Sequence, residues 1–495
     1  MSRAQRLPGE RTIKMVSQNV LQKYEMVIGL EVHVELKTRT KIFCSCPTDF
    51  GAEPNTQCCP ICAGLPGALP VLNRQALYYA IKAGLATNCK IASTTKQHRK
   101  HYFYPDLPNA YQISQYDKPL CENGYLDIET GKGTKRIGIT RIHIEEDAGK
   151  LVHLEGEGTL IDCNRGGVPL IEIVSEPDIR SAEEAKAYLQ KLRAVIMYTG
   201  ISDCKMNEGS FRCDVNISVR KKGEKGLGVR AEIKNINSFL FVVRAIEYEF
   251  ARQVEAIEAG ETLVQETRRF DSATGKTYSM RTKENATDYR YMPNPDLPVI
   301  EVTGELLDRL KSEIPMLPDQ RKKKYTEEYG LTPYAAEQIT VQRETADYFE
   351  KAAALTDYPV LVANMILTDI ARLQQPDQTD IPILPVHLAA IAQMAGEGRI
   401  NSRTGRILVQ ELWENDTDPE KLVEEKGLEQ ISDINILSGY AKEVIAENPK
   451  TVSDYLSGKA AAFQALVGQV MKKTGGRGNP VIIQEILKRL IHKKE

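Results

Sequence analysis

The sequence has no long apolar stretch and almost no net charge. Across 495 residues no apolar run approaches the roughly 18 residues that a membrane-spanning helix needs, so we expect no membrane partner. The formal net charge of −2 gives no general reason to expect a nucleic-acid partner. Such a partner would have to be bound by a local basic patch. The first two dozen residues are basic but lack the apolar core of a secretory signal. We therefore expect a cytoplasmic protein, with residues 1–24 forming a disordered extension or with a true start at Met15; a transit peptide is the alternative.

The glycine-rich motifs of common nucleotide sites are also missing. Gly275-Lys276-Thr277 resembles the end of a P-loop. The first glycine of that motif would be residue 270, but this position is occupied by Phe270. No Gly-x-Gly-x-x-Gly follows a strand, and no Gly/Ser-rich segment of the amidase type offers a serine nucleophile. If ATP binds, we expect it on a sheet surface through magnesium and not in a P-loop.

Three polar residues alternate with apolar ones near the start of the chain. On a β-strand, Glu31, His33 and Glu35 share one face, and the apolar residues between them share the other. Two carboxylates that flank an imidazole can hold a divalent cation or relay protons. A half-buried edge strand with a solvated face produces the same pattern. Other segments must supply matching groups, and for Glu35 we find none that gives it a role.

Five of the ten cysteines lie in one loop. A Cys-x-Cys followed by a Cys-x-x-Cys provides four thiolates whose spacing suits tetrahedral zinc. This spacing predicts a structural zinc site with Cys44, Cys46, Cys59 and Cys62 as ligands, and leaves Cys58 as the spare. A redox-active pair or an empty site is the alternative. Because four protein ligands leave no open position, such a site would fix a loop.

A second cluster of polar residues reads Arg141-Ile-His143-Ile-Glu145-Glu146-Asp147. If a strand runs through Glu145, then His143 and Glu145 face one way and Glu146 faces the other. Taken with Glu31 and His33, this cluster could complete a magnesium cage with room for substrate phosphates. An acidic turn that ends a strand is the alternative.

A Gly/Lys-rich turn at 221–228 joins two alternating segments and predicts a β-hairpin of 211–220 with 229–235. One side of this hairpin is apolar, and the other side mixes cations with acids. Solvent exposure would explain the polar side. So would the floor of a nucleotide pocket, where arginine and lysine meet phosphates while acids hold magnesium. The candidate nucleotide-binding residues are Arg212, Asp214, Glu232 and Lys234.

Two segments have the composition of a nucleic-acid contact. Residues 96–106 interleave cations with three aromatic residues, which can stack on a nucleic-acid end, line a polar channel, or form a surface loop that buries its aromatics. Residues 440–495 carry ten Lys/Arg against five Asp/Glu, a local excess of five positive charges. Helices in this tail could follow a phosphate backbone, although a solvated helical face has the same composition.

The hydrophobic pattern is mostly β with interspersed helices to about residue 300, and helical beyond it. The predicted strands are 26–36, 136–146, 150–155, 168–174, 211–220 and 229–235. The helices predicted among them are 73–86, 181–199 and 238–259. After the proline-rich residues 293–298, the predicted helices are 303–312, 318–329, 333–356, 358–372, 385–397, 436–447, 450–457, 459–473 and 479–491.

Several long motifs resemble those of the B subunits of aspartyl/glutamyl-tRNA(Asn/Gln) amidotransferases, the GatB family. The resemblance runs from about residue 24 to 495, and the extension before it is unmatched. The motifs are Glu31-Val-His33, the cysteine loop, Tyr102–Asn109, Tyr111–Gln115, His143–Lys150, Asp162–Gly167, Ser175–Asp178, Arg212-Cys-Asp214, Glu232–Asn235 and Asp288–Pro298.

The resemblance implies an α+β fold. Its largely antiparallel catalytic cradle, at 25–300, would be related to the glutamine synthetase and guanidino-kinase fold. A helical linker region at 301–345 and a helical, tRNA-contacting tail at 346–495 would follow. The family also implies a heterotrimer, in which an amidase subunit frees ammonia from glutamine and a small third subunit joins the other two.

The implied reaction is ATP-dependent transamidation. The side-chain carboxylate of Glu-tRNA(Gln), Asp-tRNA(Asn) or both would be phosphorylated and then aminated with channelled ammonia. By position, Glu31, His33 and Glu145 would be magnesium ligands, with Asp214 and Glu232 as further candidates. The same resemblance puts Lys100 and Glu146 at the mouth of the ammonia channel.

Overall fold

The computed structural model describes residues 22–154, 156, 158–282, 286–375, 378 and 380–492. The predicted N-terminal extension lies outside these residues, except at its last three positions. The chain divides into two compact units, of which the first ends at Leu317 and the second begins at Pro318. Within the described ranges, no helix is both long and apolar enough to cross a membrane.

The first unit is built on a nine-stranded sheet with the order β14-β13-β12-β11-β1-β10-β7-β6-β2. All neighbours in this sheet are antiparallel except β12 and β13, which are parallel. The remaining strands form three small sheets, β15-β4-β5, β16-β3 and β8-β9. The strand bounds are β1 Tyr24–Glu35, β2 Lys90–Ile91, β3 Thr94–Thr95, β4 His98–His101, β5 Tyr111–Ser114, β6 Cys121–Thr130, β7 Gly133–Glu146, β8 Lys150–Leu154, β9 Gly158–Asp162, β10 Pro169–Ser175, β11 Phe211–Lys221, β12 Ala231–Lys234, β13 Glu266–Asp271, β14 Lys276–Thr282, β15 Met292–Pro293 and β16 Ile300–Glu301.

Three predicted helices pack against this sheet and bury its apolar side: Arg74–Ala86, Ala182–Thr199 and Phe239–Glu258. Each begins after a side chain that caps its first turn; Ser181, for example, accepts a hydrogen bond from the amide of Glu184. The apolar residues of β1 lie in this core and are at most 1% exposed at Leu30, Val32 and Val34. The polar residues of β1 therefore face away from the helices.

The second unit is helical and contains two separate apolar cores. The predicted helix 333–356 is wrong as one element, because the helix breaks at residues 340–342, where the Thr340 hydroxyl bonds back to the carbonyl of Ala336. Two helices were not predicted, Ser402–Glu414 and Pro419–Lys426. The other helices from residue 304 onward are Gly304–Ser312, Pro318–Glu327, Pro333–Ile339, Arg343–Ala353, Pro359–Met365, Ala371–Leu373, Pro385–Gly396, Ile434–Glu447, Pro449–Leu456, Ala460–Lys473 and Pro480–His492, with a π-helical turn at Ile366–Ile370.

Candidate active site

The polar face of β1 lies in the middle of the sheet, between β10 and β11. Glu31 is opposite Asp214 of β11, and His33 is opposite Glu172 of β10. The side chains of β1 on this face are half-buried, whereas an edge strand would leave them open to solvent. The edge-strand alternative is therefore wrong, because β1 has neighbours on both sides.

The first group of ligand-type side chains is the histidine cluster, defined as His33, Glu145 and Glu172. One ligand atom from each lies within 4.8 Å of the others. His33 Nε2 is 3.4 Å from Glu172 Oε2 and 3.7 Å from Glu145 Oε1. His143 borders the cluster, with its Nε2 3.6 Å from Glu172 Oε2. Glu172 was not among the predicted ligands, although a single glutamate within an apolar strand is a signal that could have identified it.

Charge controls protonation in this cluster. Burial would lower the pKa of His33, but the hydrogen bond with Glu172 and the charges of Glu172 and Glu145 outweigh it and raise the pKa to about 9. Burial would raise the pKa of Glu172, yet His143 and His33 hold it well below its usual range. Without a metal, the protonated imidazole of His33 is the counter-charge of the cluster.

The second group is the hairpin cluster, defined as Glu31, Asp214 and Glu232, whose ligand atoms also lie within 4.8 Å of one another. Lys234 Nζ donates to Asp214 Oδ2 at 2.6 Å and lies 3.2 Å from Glu232 Oε1. Burial would lower the pKa of Lys234, but the charges of Asp214 and Glu232 raise it overall. Asn216 Nδ2 donates to Glu31 Oε1 at 2.8 Å. The predicted hairpin is thus present, and its acids meet Glu31.

The structure divides the predicted magnesium ligands between the two clusters. His33 and Glu145 lie together in the histidine cluster, whereas Glu31 belongs to the hairpin cluster. The clusters are neighbours because the six side chains come from five adjacent strands of one sheet, β7, β10, β1, β11 and β12, and Glu31 and His33 are two residues apart on β1. The ligand-type side chains thus lie in two adjacent groups, whereas the sequence analysis placed Glu31, His33 and Glu145 in one cage.

Arg212 lies opposite His33 and is held by acids. Its Nη2 donates to Asp147 Oδ2 at 2.6 Å, and Arg165 Nε lies 3.6 Å from the same oxygen. Glu35 hydrogen-bonds to Asp147, and burial together with the charge of Asp147 raises the pKa of Glu35 to about 8. Glu35 therefore contacts this ion-pair group and is outside both clusters.

Lys100 lies against aromatic rings beside the histidine cluster. Its Nζ is 4.8 Å from the ring centre of Tyr289 and 5.5 Å from that of Tyr102. Burial would lower the pKa of Lys100, but neighbouring tyrosines and the carboxylates of Glu145 and Glu172 raise it overall. The positive charge of Lys100 is thus directed toward Glu145 and Glu172.

Glu146 has different surroundings from Glu145, as the strand pattern predicts. The amide of Ile113 donates to Glu146 Oε1 at 2.8 Å, and Glu146 lines a small cavity beside Cys62. Burial raises the pKa of Glu146 to about 7 in spite of that hydrogen bond. Among the described residues, no ion pair joins Glu146 to Lys100.

The cysteine loop brings Cys44, Cys46, Cys59 and Cys62 together, with one sulfur from each within 4.8 Å of the others. The Sγ of Cys62 is 4.0 Å from the sulfurs of Cys46 and Cys59, and it accepts a hydrogen bond from the amide of Cys59. A hydrogen bond from Cys44 lowers the pKa of Cys62 to about 4 and so favours its thiolate. Cys58 lies outside this group. All four sulfurs are free thiols of the ligand type that zinc prefers.

The basic tail neutralises part of its own charge. Lys473 Nζ lies 2.9 Å from Glu443 Oε2 and 2.6 Å from Glu447 Oε1. Within the same unit, Arg403 and Lys472 line a cavity of about 650 Å³. Part of the excess positive charge of the tail is therefore neutralised within the tail, so less of it is available to a partner than the composition alone indicates.

Two family models match the chain. The model described as the GatB/GatE catalytic domain matches residues 26–308, which is more than half of the chain. The model described as the GatB domain matches residues 347–491.

Curated relatives are similar over nearly the whole chain. The chain is 55% identical over 478 residues to the B subunit of the aspartyl/glutamyl-tRNA(Asn/Gln) amidotransferase of Caldicellulosiruptor saccharolyticus, covering 95% of this chain and 100% of the relative. Proteins of the same name from Carboxydothermus hydrogenoformans and Geotalea uraniireducens are 53% identical over 475 residues and 51% identical over 472. These alignments cover 94% of this chain in both cases, and 99% and 98% of the relatives. These matches show that the chain belongs to the GatB family.

Proposed function

We propose that this chain performs ATP-dependent transamidation as the B subunit of an amidotransferase. It phosphorylates the side-chain carboxylate of Glu-tRNA(Gln), Asp-tRNA(Asn) or both, and aminates the product to Gln-tRNA(Gln) or Asn-tRNA(Asn). The observation that carries this proposal is the pair of adjacent carboxylate clusters on the polar face of one sheet. As a class the chain is a carbon–nitrogen ligase with glutamine as amide donor.

The donor sets fit magnesium. Carboxylate oxygens are the ligands that Mg²⁺ prefers, and each cluster holds its charge against a cation of the protein itself. Bound magnesium would offset the charge that develops on transferring phosphoryl oxygens. Glu31, Asp214 and Glu232 would hold one ion, and His33, Glu145 and Glu172 a second. Phosphorylation is needed because a carboxylate has no adequate leaving group, whereas an acyl phosphate has one.

A cavity of about 260 Å³ beside Glu31 supports a nucleotide on the sheet surface. Gly29 leaves space above β1, and Arg230 lines the cavity at its rim. Asn216 also lines this cavity, and its Nδ2 donates to Glu31 Oε1. With the base in this cavity, the phosphates would extend toward the hairpin cluster, Lys234 and Arg212.

The nitrogen source in this proposal is a partner. The sequence has no amidase-type serine segment, so ammonia would come from the amidase subunit of a complex that also contains a small third subunit. Lys100 and Glu146 would control the entry of ammonia into the site, and the two side chains have different surroundings. The catalytic cradle at 25–300 would resemble the glutamine synthetase and guanidino-kinase fold. A helical linker at 301–345 and a tRNA-contacting tail at 346–495 would follow it. The enzyme would be cytoplasmic.

In the cysteine loop, Cys44, Cys46, Cys59 and Cys62 would bind structural zinc. Replacing Cys59 and Cys62 together by serine should remove one zinc ion per chain, because two of four thiolates cannot hold a closed site. Metal analysis of the purified complex measures this. Undiminished zinc would contradict the assignment, and Cys58→Ser is the matched control that should retain the ion.

The central test is Glu31→Gln in the assembled complex. We expect loss of ATP-dependent amidation with glutaminase activity and tRNA binding retained, because Glu31 is a candidate magnesium ligand, whereas this proposal assigns glutamine hydrolysis to the amidase subunit and tRNA contacts to the tail. The competing hypothesis is a zinc-stabilised tRNA-binding scaffold whose chemistry occurs elsewhere. Unchanged amidation by Glu31→Gln would favour that scaffold.

A further inference from the structure

The short segment between β9 and β10 contacts two parts of the first unit that have been described separately. We call residues 163–168 the connecting loop. On one side this loop is hydrogen-bonded to the cysteine loop, which spans residues 44–62. On the other side it contacts the ion-pair group of Asp147 and Arg212. The connecting loop therefore joins the candidate zinc site to a candidate nucleotide-binding arginine.

Asn164 makes most of the contact with the cysteine loop. Its Oδ1 accepts a hydrogen bond from the amide of Gln57 at 2.8 Å, and its Nδ2 donates to the carbonyl of Glu53 at 2.7 Å. In the other direction, Asn55 Oδ1 accepts from the amide of Cys163 at 2.8 Å. All three partners lie between the two cysteine pairs of the cysteine loop. These hydrogen bonds fix the position of the connecting loop relative to the four thiols.

Arg165 contacts the residues that follow β7. Its Nε donates to the carbonyl of Ala148 at 3.0 Å, and its Nη2 donates to the carbonyl of Gly149 at 2.9 Å. The same Nε lies 3.6 Å from Asp147 Oδ2. The planar guanidinium thus spans three successive residues, which the single ammonium of a lysine would not do. Arg165 therefore fixes the segment that carries Asp147.

The main chain of the connecting loop holds Asp147 as well. The amide of Gly167 donates to the carbonyl of Asp147 at 2.9 Å, and the amide of Asp147 donates to the carbonyl of Val168 at 2.9 Å. Gly167 has a φ of +82°, in the left-handed region that favours glycine. Asp147 is consequently bound to the connecting loop through its backbone and, by way of Arg165, near its carboxylate.

Asp147 in turn fixes Arg212. Arg212 Nη2 donates to Asp147 Oδ2 at 2.6 Å, and this bond uses one of five guanidinium N–H donors. The side chain of Arg212 is still 31% exposed, so it can also meet a ligand. A free arginine loses rotamer entropy when it binds a phosphate, whereas an arginine that is already held by an acid loses less.

We propose that Asn164 and Arg165 are positioning residues for nucleotide binding. They couple the cysteine loop to Asp147, which holds Arg212 in the orientation that meets the nucleotide phosphates. In this proposal neither residue contacts the nucleotide, and both act through Arg212. The proposal rests on the function proposed above, and it makes the cysteine loop a support of the nucleotide site. A connecting loop that only stabilises the fold is the alternative.

The test is the affinity of the assembled complex for ATP, measured by calorimetric titration at saturating magnesium without tRNA. Arg212→Ala should weaken ATP binding about 30-fold, as loss of a charged hydrogen-bond donor would. Arg165→Ala should weaken it about tenfold, which is typical for loss of a group that orients a ligand-binding side chain. In the Arg212→Ala background, Arg165→Ala should add less than about twofold, because the side chain that it positions is gone.

Asn164→Ala extends the test to the cysteine loop. Because Asn164 is one step farther from Arg212, we expect about threefold weaker ATP binding, and again no further loss in the Arg212→Ala background. Arg136→Ala is the matched control. Arg136 donates two hydrogen bonds to Asp127 near the start of β7, whereas the site residues lie at the end of that strand. ATP binding by this variant should be unchanged.

The proposal is overturned if Arg165→Ala leaves ATP affinity unchanged, or if it weakens binding tenfold whether Arg212 is present or not. The second result would indicate a purely structural role. An unaltered complex that does not bind ATP would overturn both this proposal and the function proposed above. Because the titration requires no turnover, it can fail while Glu31→Gln, which tests the chemistry, still gives its expected result.

Discussion

The histidine cluster and the hairpin cluster share β1, yet they balance their negative charge in different ways. In the hairpin cluster the counter-charge is the ammonium of Lys234, which lies 2.6 Å from Asp214 Oδ2. In the histidine cluster it is the imidazole of His33, to which the ammonium of Lys100 adds. An entering cation must displace the lysine from the first cluster, but from the second it must displace a proton, after which His33 can itself become a ligand.

The donor atoms differ as well. The hairpin cluster offers carboxylates alone, a set suited to magnesium. The histidine cluster adds an imidazole, which also suits transition metals, so manganese should bind it more tightly than magnesium does. These differences favour two ions with distinct roles on this face over one ion shared by all six side chains.

The largest effect should come from removing one carboxylate from each cluster in turn. Glu172→Gln and Glu232→Gln each preserve side-chain shape but remove a charged ligand. We expect each variant to lose one of two manganese ions, and amidation to fall by at least about 100-fold, since even groups behind the ligands account for 10- to 100-fold. Titration of manganese by electron paramagnetic resonance counts the ions. A variant that still binds two manganese ions would contradict the assignment of one ion to each cluster.

The next effect is a difference in pH dependence. Because the pKa of His33 is about 9 in the metal-free fold, the imidazole is protonated below that pH and competes with the metal. Manganese affinity of the histidine cluster should therefore fall about tenfold for each pH unit between 8 and 6. The pKa of Lys234 is raised, so Lys234 stays charged throughout this range and the hairpin cluster should show no such slope.

The two single-cluster variants allow the pH dependence of manganese binding to be measured separately for each cluster. Glu232→Gln reports the histidine cluster alone, and Glu172→Gln reports the hairpin cluster alone. Equal slopes in both variants would mean that the proton in question is not on His33.

Alternation of buried apolar and polar residues predicted several strands of the sheet, although β6, in which Leu126 and Ile128 alternate with polar residues, was missed. The alternation around Glu31, around His143 and along the 211–235 hairpin correctly predicted β1, most of β7, β11 and β12. It could not predict which strands are neighbours. Glu172 meets His33 and His143 because β10 lies between β1 and β7, and that order is set by packing of the whole sheet.

Strands without alternation were missed. β13 and β14 are rich in arginine and threonine and show no apolar period. They are held by a buried ion-pair group in which Arg268 Nε lies 3.3 Å from Glu249 Oε2 and its Nη1 lies 2.5 Å from Glu266 Oε1. Such strands depend on partners supplied by a helix, which local sequence cannot reveal. β13 matters for the site because it brings Thr267 beside Glu232.

The smallest effect should come from that contact. Thr267 Oγ1 donates to Glu232 Oε2 at 3.2 Å and is buried, so Thr267→Val removes one hydrogen bond while keeping the side-chain shape. A hydrogen bond of this kind contributes about 1 kcal/mol, and we expect manganese to bind the hairpin cluster roughly fivefold more weakly. The histidine cluster should be unaffected.

Thr277→Val is the control that separates loss of the Thr267–Glu232 hydrogen bond from a general destabilisation of the β13–β14 ribbon, which is the antiparallel pair of these two strands. Thr277 is equally buried, on the neighbouring strand β14, and its Oγ1 donates to Glu249 Oε2 at 2.8 Å, away from both clusters. Thr277→Val should lower the free energy of unfolding more than Thr267→Val, because Thr277 Oγ1 also accepts a hydrogen bond from Arg268 Nε at 2.9 Å. If Thr277→Val also weakened manganese binding at the hairpin cluster, the position of Glu232 would depend on the stability of the whole β13–β14 ribbon and not on the Thr267 hydroxyl.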